Sequence, residues 1–114
     1  MIKVTFTQNK DSDSIILKVE GHAGMDNKGH DIVCSAASIL TYTIAQYLQY
    51  IYERGGLQKK PHIVTNDGDA LVVAKPTEEY MAEVLNAYFV AEVGYSLLAH
   101  NYPQYVELKS VGQA

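Results

Sequence analysis

The sequence predicts an α+β domain with the element order ββαββαβ, in which two helices pack on one face of a mostly antiparallel sheet. Two observations predict this class. Pairs of short segments alternate between apolar and polar residues, as half-buried strands do, and a longer segment with a helical period of about 3.6 follows each pair. The chain of 114 residues is long enough for one hydrophobic core and contains no repeat or linker, so we expect residues 1–114 to form a single domain.

The first pair of strands comprises residues 1–8 and 15–20, which are separated by a segment rich in Asn, Asp and Ser. Because such residues favour turns, the pair predicts an antiparallel hairpin whose second strand ends just before His22. The alternation assigns one face of this hairpin to the core, and that face carries Ile2, Val4, Phe6, Leu17 and Val19.

The first helix is predicted to begin at Ile32 and to end before Gly55-Gly56. Asp31 is a good N-cap for it, because its carboxylate can accept hydrogen bonds from the amides of the first turn. This frame places Cys34 near the third helical position and Ser38 one turn later on the same face. The apolar stripe of the helix consists of Val33, Ala36 or Ala37, Leu40, Ile44, Tyr47 or Leu48, and Ile51.

The second half of the chain repeats this pattern and adds a strand. Residues 61–65 and 70–75 flank an Asn-Asp-Gly-Asp turn, which predicts a second hairpin, and Gly68 is interpreted as turn chemistry alone. Thr77 is predicted to cap the second helix, and residues 105–111 predict a last short strand at an edge of the sheet. The apolar stripe of the second helix consists of Met81, Val84, Leu85, Tyr88, Ala91, Tyr95 and Leu98.

The candidate functional residues lie between the first hairpin and the first helix. Cys34 is the single cysteine of the chain, and a cysteine in a first helical turn experiences the positive end of the helix dipole, which favours the thiolate. A nearby His22 could take the thiol proton and later return it to a leaving amine. The eleven residues between them include Gly24 and Gly29 and are typical of a flexible loop. The residues alone therefore propose a Cys–His nucleophilic site.

Two other interpretations of this segment remain open. A lone cysteine is most often a small buried hydrophobe, in which case the protein would be a non-catalytic interaction module with a structural Cys34. A zinc-dependent hydrolase is the second alternative, although the spacing matches no familiar zinc motif. Its ligands would come from His22, Asp26, His30, Asp31 and Cys34.

The composition of the chain argues against nucleic acid and membranes as partners. The net charge of −4 argues against general nucleic-acid binding, and no apolar run approaches the roughly 20 residues that a membrane span needs. One cysteine cannot form an internal disulfide, which fits a reducing, cytoplasmic environment. We therefore expect a protein that binds neither nucleic acid nor membrane, and the Cys–His interpretation requires no cofactor or metal.

The segment around these residues resembles the signature of a known family. Gly21-His22-Ala23 is followed by a glycine-containing loop and by a run from Gly29 to Ser38 of the form G-x-D-I-V-C-x-A-x-S. This combination closely resembles the Prp family, the bacterial ribosomal-processing cysteine proteases. The resemblance extends over the whole chain length and the ββαββαβ order.

The resemblance implies a homodimeric endopeptidase that removes a short N-terminal extension from the precursor of the twenty-seventh large-subunit ribosomal protein, which supports ribosome assembly. It implies that Cys34 is the nucleophile and His22 the general base and acid, and that residues 23–30 order around the substrate peptide. Supporting or substrate-binding roles are implied for Gly21, Gly29, Asp31 and Ser38. The contrasting hypothesis is a non-catalytic ribosome-assembly module. We expect subunit contacts on the exposed sides of the helices, with Tyr42, Tyr50 and Tyr52.

Overall fold

The structure is a computed structural model that describes the backbone of residues 1–22 and 27–113 and the side chains of residues 1–22 and 32–110. Its elements follow the predicted order ββαββαβ and confirm the α+β class. They are β1 (Ile2–Asn9), β2 (Ser14–Glu20), α1 (Asn27–Glu53), β3 (His62–Asn66), β4 (Asp69–Ala74), α2 (Met81–Asn101) and β5 (Val106–Gln113).

The strands form one mixed sheet in the order β3-β4-β2-β1-β5. The β1–β2, β2–β4 and β3–β4 pairs are antiparallel, and β5 pairs in parallel with β1 at one edge, as expected for a strand that returns after a helix. The register places four apolar residues directly opposite one another across the sheet: Phe6, Leu17, Val72 and Ile63. The predicted edge position of the last strand is confirmed.

Both helices pack on the face of the sheet to which this row belongs. The rings of Tyr88 and Tyr95 in α2 meet the Phe6 ring edge to face, with centroid distances of 6.4 and 6.0 Å. The predicted stripes are confirmed by the buried side chains Val33, Ala37, Ile44, Leu48 and Ile51 in α1 and Val84, Tyr88, Ala91, Tyr95 and Leu98 in α2. Within the described part of the chain, neither helix is long and apolar enough to cross a membrane.

The predicted start of α1 is wrong. The helix begins at Asn27 rather than at Ile32, so Asp31 lies inside the helix and is not its N-cap. Cys34 is the eighth helical residue instead of the third, and residues 27–31 are helical although they were predicted to precede the helix. The four residues that follow Asn27 are polar or glycine and carry no apolar period, so the hydrophobic pattern could not detect this turn. Adding one more turn to an existing long helix fixes few residues for each new hydrogen bond.

The predicted cap of the second helix also differs in detail. The Thr77 hydroxyl accepts a hydrogen bond from the Tyr80 amide at 3.3 Å, which is the expected capping geometry, but it closes a turn that precedes α2. The helix itself begins at Met81. The Thr77 amide and hydroxyl both donate to the Gly56 carbonyl, so this turn is tied to the chain that follows α1.

Candidate active site

The structure brings His22 and Cys34 to the same cavity, which has a volume of about 260 Å³. The cavity lies where the end of β2, the first half of α1 and the β3–β4 turn meet. Its walls include the predicted supporting residues Gly21 and Ser38. Among the described lining residues, the ionisable side chains are His22, Cys34, Tyr42, Asp67 and Asp69, and none is Lys or Arg.

Gly21 determines how His22 leaves the sheet. It has a φ of +92°, a conformation that residues with a Cβ rarely adopt, and a Cβ there would collide with the carbonyl oxygen of Met1. Its amide donates a hydrogen bond to the Gly68 carbonyl at 2.9 Å, and the Met1 amino group donates to the His22 carbonyl. The backbone at residues 21–22 is therefore held from both sides, which explains why the position before His22 is glycine.

The imidazole of His22 lies over the β3–β4 turn and is about half exposed. Its Nδ1 atom is 3.9 Å from Oδ1 of Asp67, an ion-pair distance when the ring is protonated. A Cβ at Gly68 would lie 2.6 Å from Nε2, so the ring occupies the space that a larger side chain would fill. Gly68 thus does more than permit a turn, and Asp67 is a site residue that sequence reasoning missed.

The contact between His22 and the β3–β4 turn follows from the register of the strands and not from a local sequence motif. Strand β4 pairs with β2 so that Asp69 lies opposite Glu20, which brings the β3–β4 turn beside the residues that follow β2. The Asn-Asp-Gly-Asp turn was recognised in the sequence, but nothing in the sequence stated that these two strands are neighbours.

Cys34 lies in the third turn of α1, where its side chain is partly buried against the core and partly open to the cavity. The effect of a helix dipole is concentrated in the first turn. Because Cys34 lies in the third turn, the stabilisation of its thiolate that was expected from a first-turn position does not apply. The backbone amides around Cys34 lie within the hydrogen-bonded helix rather than at its open end. These helix amides are therefore not open donors to a developing oxyanion.

The helical turn that follows Cys34 is fastened to α2. The hydroxyl oxygens of Thr41 and Tyr95 lie 3.0 and 2.8 Å from the Ala37 carbonyl oxygen and also within hydrogen-bond distance of each other, so their two protons serve three contacts. Tyr95 is completely buried, and burial raises its pKa to about 12, so its hydroxyl is a proton donor at neutral pH. This network fixes the segment of α1 that carries Cys34 and Ser38.

Several predicted site residues lie outside the described side chains. For Gly29, His30 and Asp31 the structure gives only a helical backbone, and Gly24 and Asp26 lie in the segment 23–26, which is outside the described residues. The roles predicted for them, and for most of the loop 23–30, therefore stay predictions. The zinc alternative depended on three of these residues; among the described residues, no three His, Cys, Asp or Glu side chains form a group that could hold a metal ion.

Comparison with known proteins identifies a family that the chain matches. A family model described as "Cysteine protease Prp" matches residues 1–107. A comparison with curated proteins found no significant match. The family match covers both His22 and Cys34 and nearly the whole described chain.

Solved structures share the fold over almost the whole chain. The crystal structure of SMU.848 from Streptococcus mutans is 25% identical, with a TM-score of 0.72, and the match covers 99% of this chain and 96% of that one. The ribosomal processing protease Prp from S. aureus, in complex with a covalently linked product peptide, is 22% identical, with a TM-score of 0.67 and coverage of 97% and 100%. The same S. aureus protease in complex with a substrate peptide is 21% identical, with the same TM-score and coverage.

Proposed function

The chain belongs to the Prp family of cysteine proteases and is a cysteine protease, and we propose that it removes an N-terminal peptide from a ribosomal-protein precursor. The observation that carries the assignment of roles is the shared cavity, which both the single cysteine and His22 line. In this proposal Cys34 is the nucleophile and His22 is the general base and acid. An inert, fully buried cysteine, which the non-catalytic alternative requires, is disfavoured because Cys34 opens to the cavity.

The proposed reaction proceeds in two halves. His22 takes the proton of the Cys34 thiol, and the sulfur attacks the scissile carbonyl carbon to form a tetrahedral intermediate. His22 then gives its proton to the leaving amine nitrogen, which leaves an acyl-enzyme. A water molecule, deprotonated by His22, attacks the thioester, and the proton returns to the sulfur as the N-terminal peptide leaves. Each proton removed is returned, so no cofactor is needed.

We assign stabilisation of the oxyanion to the Ser38 hydroxyl. Ser38 follows Cys34 by one helical turn on the same face, lines the cavity and is exposed. The network of Thr41, Tyr95 and the Ala37 carbonyl holds this turn in place. A donor carried on a fixed helical turn lowers the barrier because its backbone needs no reorganisation as the charge develops.

The proposed substrate is the precursor of the twenty-seventh large-subunit ribosomal protein. Support comes from the S. aureus relative, which is a ribosomal processing protease bound to substrate and product peptides. The cavity of this chain is bordered by Asp67 and Asp69 and by no described Lys or Arg side chain, which suits a substrate destined to bind RNA. We place the reaction in the cytoplasm, where ribosomes assemble and a catalytic thiol stays reduced.

We propose that the working form is a homodimer and that its contact includes the outer face of α2. Four large apolar side chains are exposed along this face: Phe89, Val90, Val93 and Leu97. An exposed apolar stripe on a helix whose opposite face is already in the core is typical of a subunit interface. The tyrosines expected at the interface, Tyr42, Tyr50 and Tyr52, are also exposed and lie on α1.

Light scattering during size-exclusion chromatography tests the dimer. We expect the mass of two chains for the native protein and for Gln104→Glu, a control that adds the same charge at an exposed position after the end of α2. Leu97→Glu is expected to give the mass of one chain, because it places a charge in the apolar stripe. A native protein that runs as a monomer at micromolar concentration would contradict the dimer.

Cleavage of the full-length precursor, read by intact mass, tests the proposed activity. We expect one N-terminal cut by the native protein and by the control Ser35→Ala, which changes an exposed neighbour of the nucleophile. Cys34→Ala and His22→Ala are expected to abolish the cut while keeping the native melting temperature. Cleavage by Cys34→Ala would exclude Cys34 as the nucleophile, and no cleavage by the native protein in reducing buffer would favour the non-catalytic ribosome-assembly module.

A further inference from the structure

The β3–β4 turn is built against the His22 imidazole. Gly68 has a φ of +75°, and a Cβ on it would lie 2.6 Å from Nε2 and 3.0 Å from Cε1 of the ring. The Gly68 carbonyl accepts the Gly21 amide at 2.9 Å, so the turn is anchored to the residue that precedes His22. The hydrogen bond between Gly21 and Gly68 therefore fixes both the turn that contacts the ring and the backbone that precedes His22.

The carboxylate of Asp67 faces the opposite nitrogen of the same ring. Its Oδ1 atom is 3.9 Å from Nδ1, which is too long for a hydrogen bond and close enough for a direct charge interaction. The other ionisable side chains of the cavity are Cys34 and Tyr42 on α1 and Asp69 on β4, and the Met1 amino group binds the His22 carbonyl rather than its ring. Among the described residues, Asp67 is the carboxylate within 4 Å of the imidazole.

We propose that the β3–β4 turn is the positioning element of the catalytic histidine, with Gly68 leaving the space that the ring occupies and Asp67 holding its Nδ1 side. The proposal rests on the proposed function, in which His22 moves the proton. A carboxylate beside Nδ1 favours the tautomer with the proton on Nδ1, which leaves Nε2 as the nitrogen that accepts the Cys34 proton. Once Nε2 is protonated, the ring is a cation, and the carboxylate of Asp67 stabilises it.

The first test compares two glycines with the same backbone conformation. Gly55 has a φ of +79°, and a Cβ on it would meet no atom within 4 Å, so Gly55→Ala carries the backbone penalty without a collision. We expect Gly68→Ala to lower kcat about 100-fold by displacing the ring by about 1 Å, with little change in KM, while Gly55→Ala keeps the native kcat. Equal melting temperatures of the two variants would show that folding is not the cause. Equal kcat values for the two variants would overturn the proposal.

The second test isolates the charge and remains decisive if Gly68→Ala does not fold. Asp67→Asn is expected to lower kcat about three-fold to five-fold, because the carboxylate is exposed and its interaction is partly screened, and Asp67→Glu is expected to restore most of the loss. Asp11→Asn makes the same charge change in the exposed β1–β2 turn and serves as the control. An Asp67→Asn enzyme with native kcat would overturn the role of the carboxylate.

A spectroscopic measurement separates this proposal from the proposed function. Nuclear Overhauser contacts between the His22 ring protons and the Gly68 α protons report where the ring lies whether or not any peptide is cut. We expect these contacts in the native protein and in Asp11→Asn, and weaker ones in Asp67→Asn. If the native protein cuts no precursor but shows the contacts, the proposed function is wrong, and the position of the His22 ring on the β3–β4 turn is still supported. Their absence from the native protein overturns the proposal.

Discussion

The two hairpins of the sheet have similar turns but different surroundings. The β1–β2 hairpin lies in the middle of the sheet, with β5 on one side and β4 on the other, and its turn projects into solvent with Asp11 and Asp13 exposed. The β3–β4 hairpin forms an edge, and its turn, which carries Asp67 and Gly68, lies against His22. Both turns are acidic and polar, so composition does not distinguish the one at the site from the one in solvent.

The position of a hairpin in the sheet determines which residues its turn can contact. His22 lies just past the end of the first hairpin, and the turn of the second hairpin lies against its ring. Helix α2 joins the two hairpins, because the Tyr88 ring packs on Phe6 of the first and the Tyr88 hydroxyl donates to the Val72 carbonyl of the second at 3.2 Å. Among the strands, the first hairpin therefore contributes more buried side chains than the second, which is joined to it by the β2–β4 ladder and by Tyr88.

The largest expected difference between the hairpins is in the stability lost when an apolar residue of the row that crosses the sheet is truncated. Leu17 is completely buried at its centre, and Ile63 is partly exposed in the edge strand. We expect Leu17→Ala to lower the free energy of unfolding by about 3 kcal/mol and Ile63→Ala by less than half of that. Urea unfolding at neutral pH measures both values. Equal losses would mean that the edge hairpin contributes to the core as much as the central one does.

The next effect is a loss of stability at alkaline pH. Burial raises the pKa of Tyr95 from 10.0 to about 12 and also raises the pKa of Tyr88. Because the folded state holds these protons more tightly, the stabilisation is complete below pH 10 and is lost as the pH rises through the folded-state pKa. For Tyr95 this amounts to about 2 to 3 kcal/mol. Urea titrations from about pH 9 to 12 should show a shallower decline for Tyr95→Phe than for the native protein; identical slopes would contradict the burial effect.

The smallest effect tests the link that α2 makes between the hairpins. Tyr88→Phe keeps the ring contact with Phe6 and removes the hydrogen bond to the Val72 carbonyl. We expect a loss of about 1 kcal/mol in the free energy of unfolding, because one buried acceptor loses its side-chain partner. Tyr50→Phe removes an exposed hydroxyl and should change stability by less than about 0.5 kcal/mol. If the two variants are equally stable, the hydroxyl of Tyr88 does not hold the second hairpin.

The sequence was informative wherever a periodic apolar pattern was present. Alternation located the hairpins, and the stripes through Leu48 and Tyr95 located the core faces of both helices. The start of α1 was missed because residues 27–31 have no apolar side chain to mark a period. His22 and Cys34 could be proposed from residue chemistry and family resemblance. Asp67 could not, because its place depends on the pairing of β2 with β4, which is a long-range contact that no local pattern encodes.

The parallel pairing of β1 with β5 has a consequence for the timing of folding during synthesis. Ile2 lies opposite Val106, and the Ile2 amide donates to the Tyr105 carbonyl at 2.7 Å, so one edge of β1 pairs with a strand that is synthesised much later. Contacts between such distant segments form late in folding. The same end of β1 supports Gly21 and His22 through Met1. On the ribosome, the parallel pair that borders Met1 and the His22 backbone is therefore completed only after β5 has emerged.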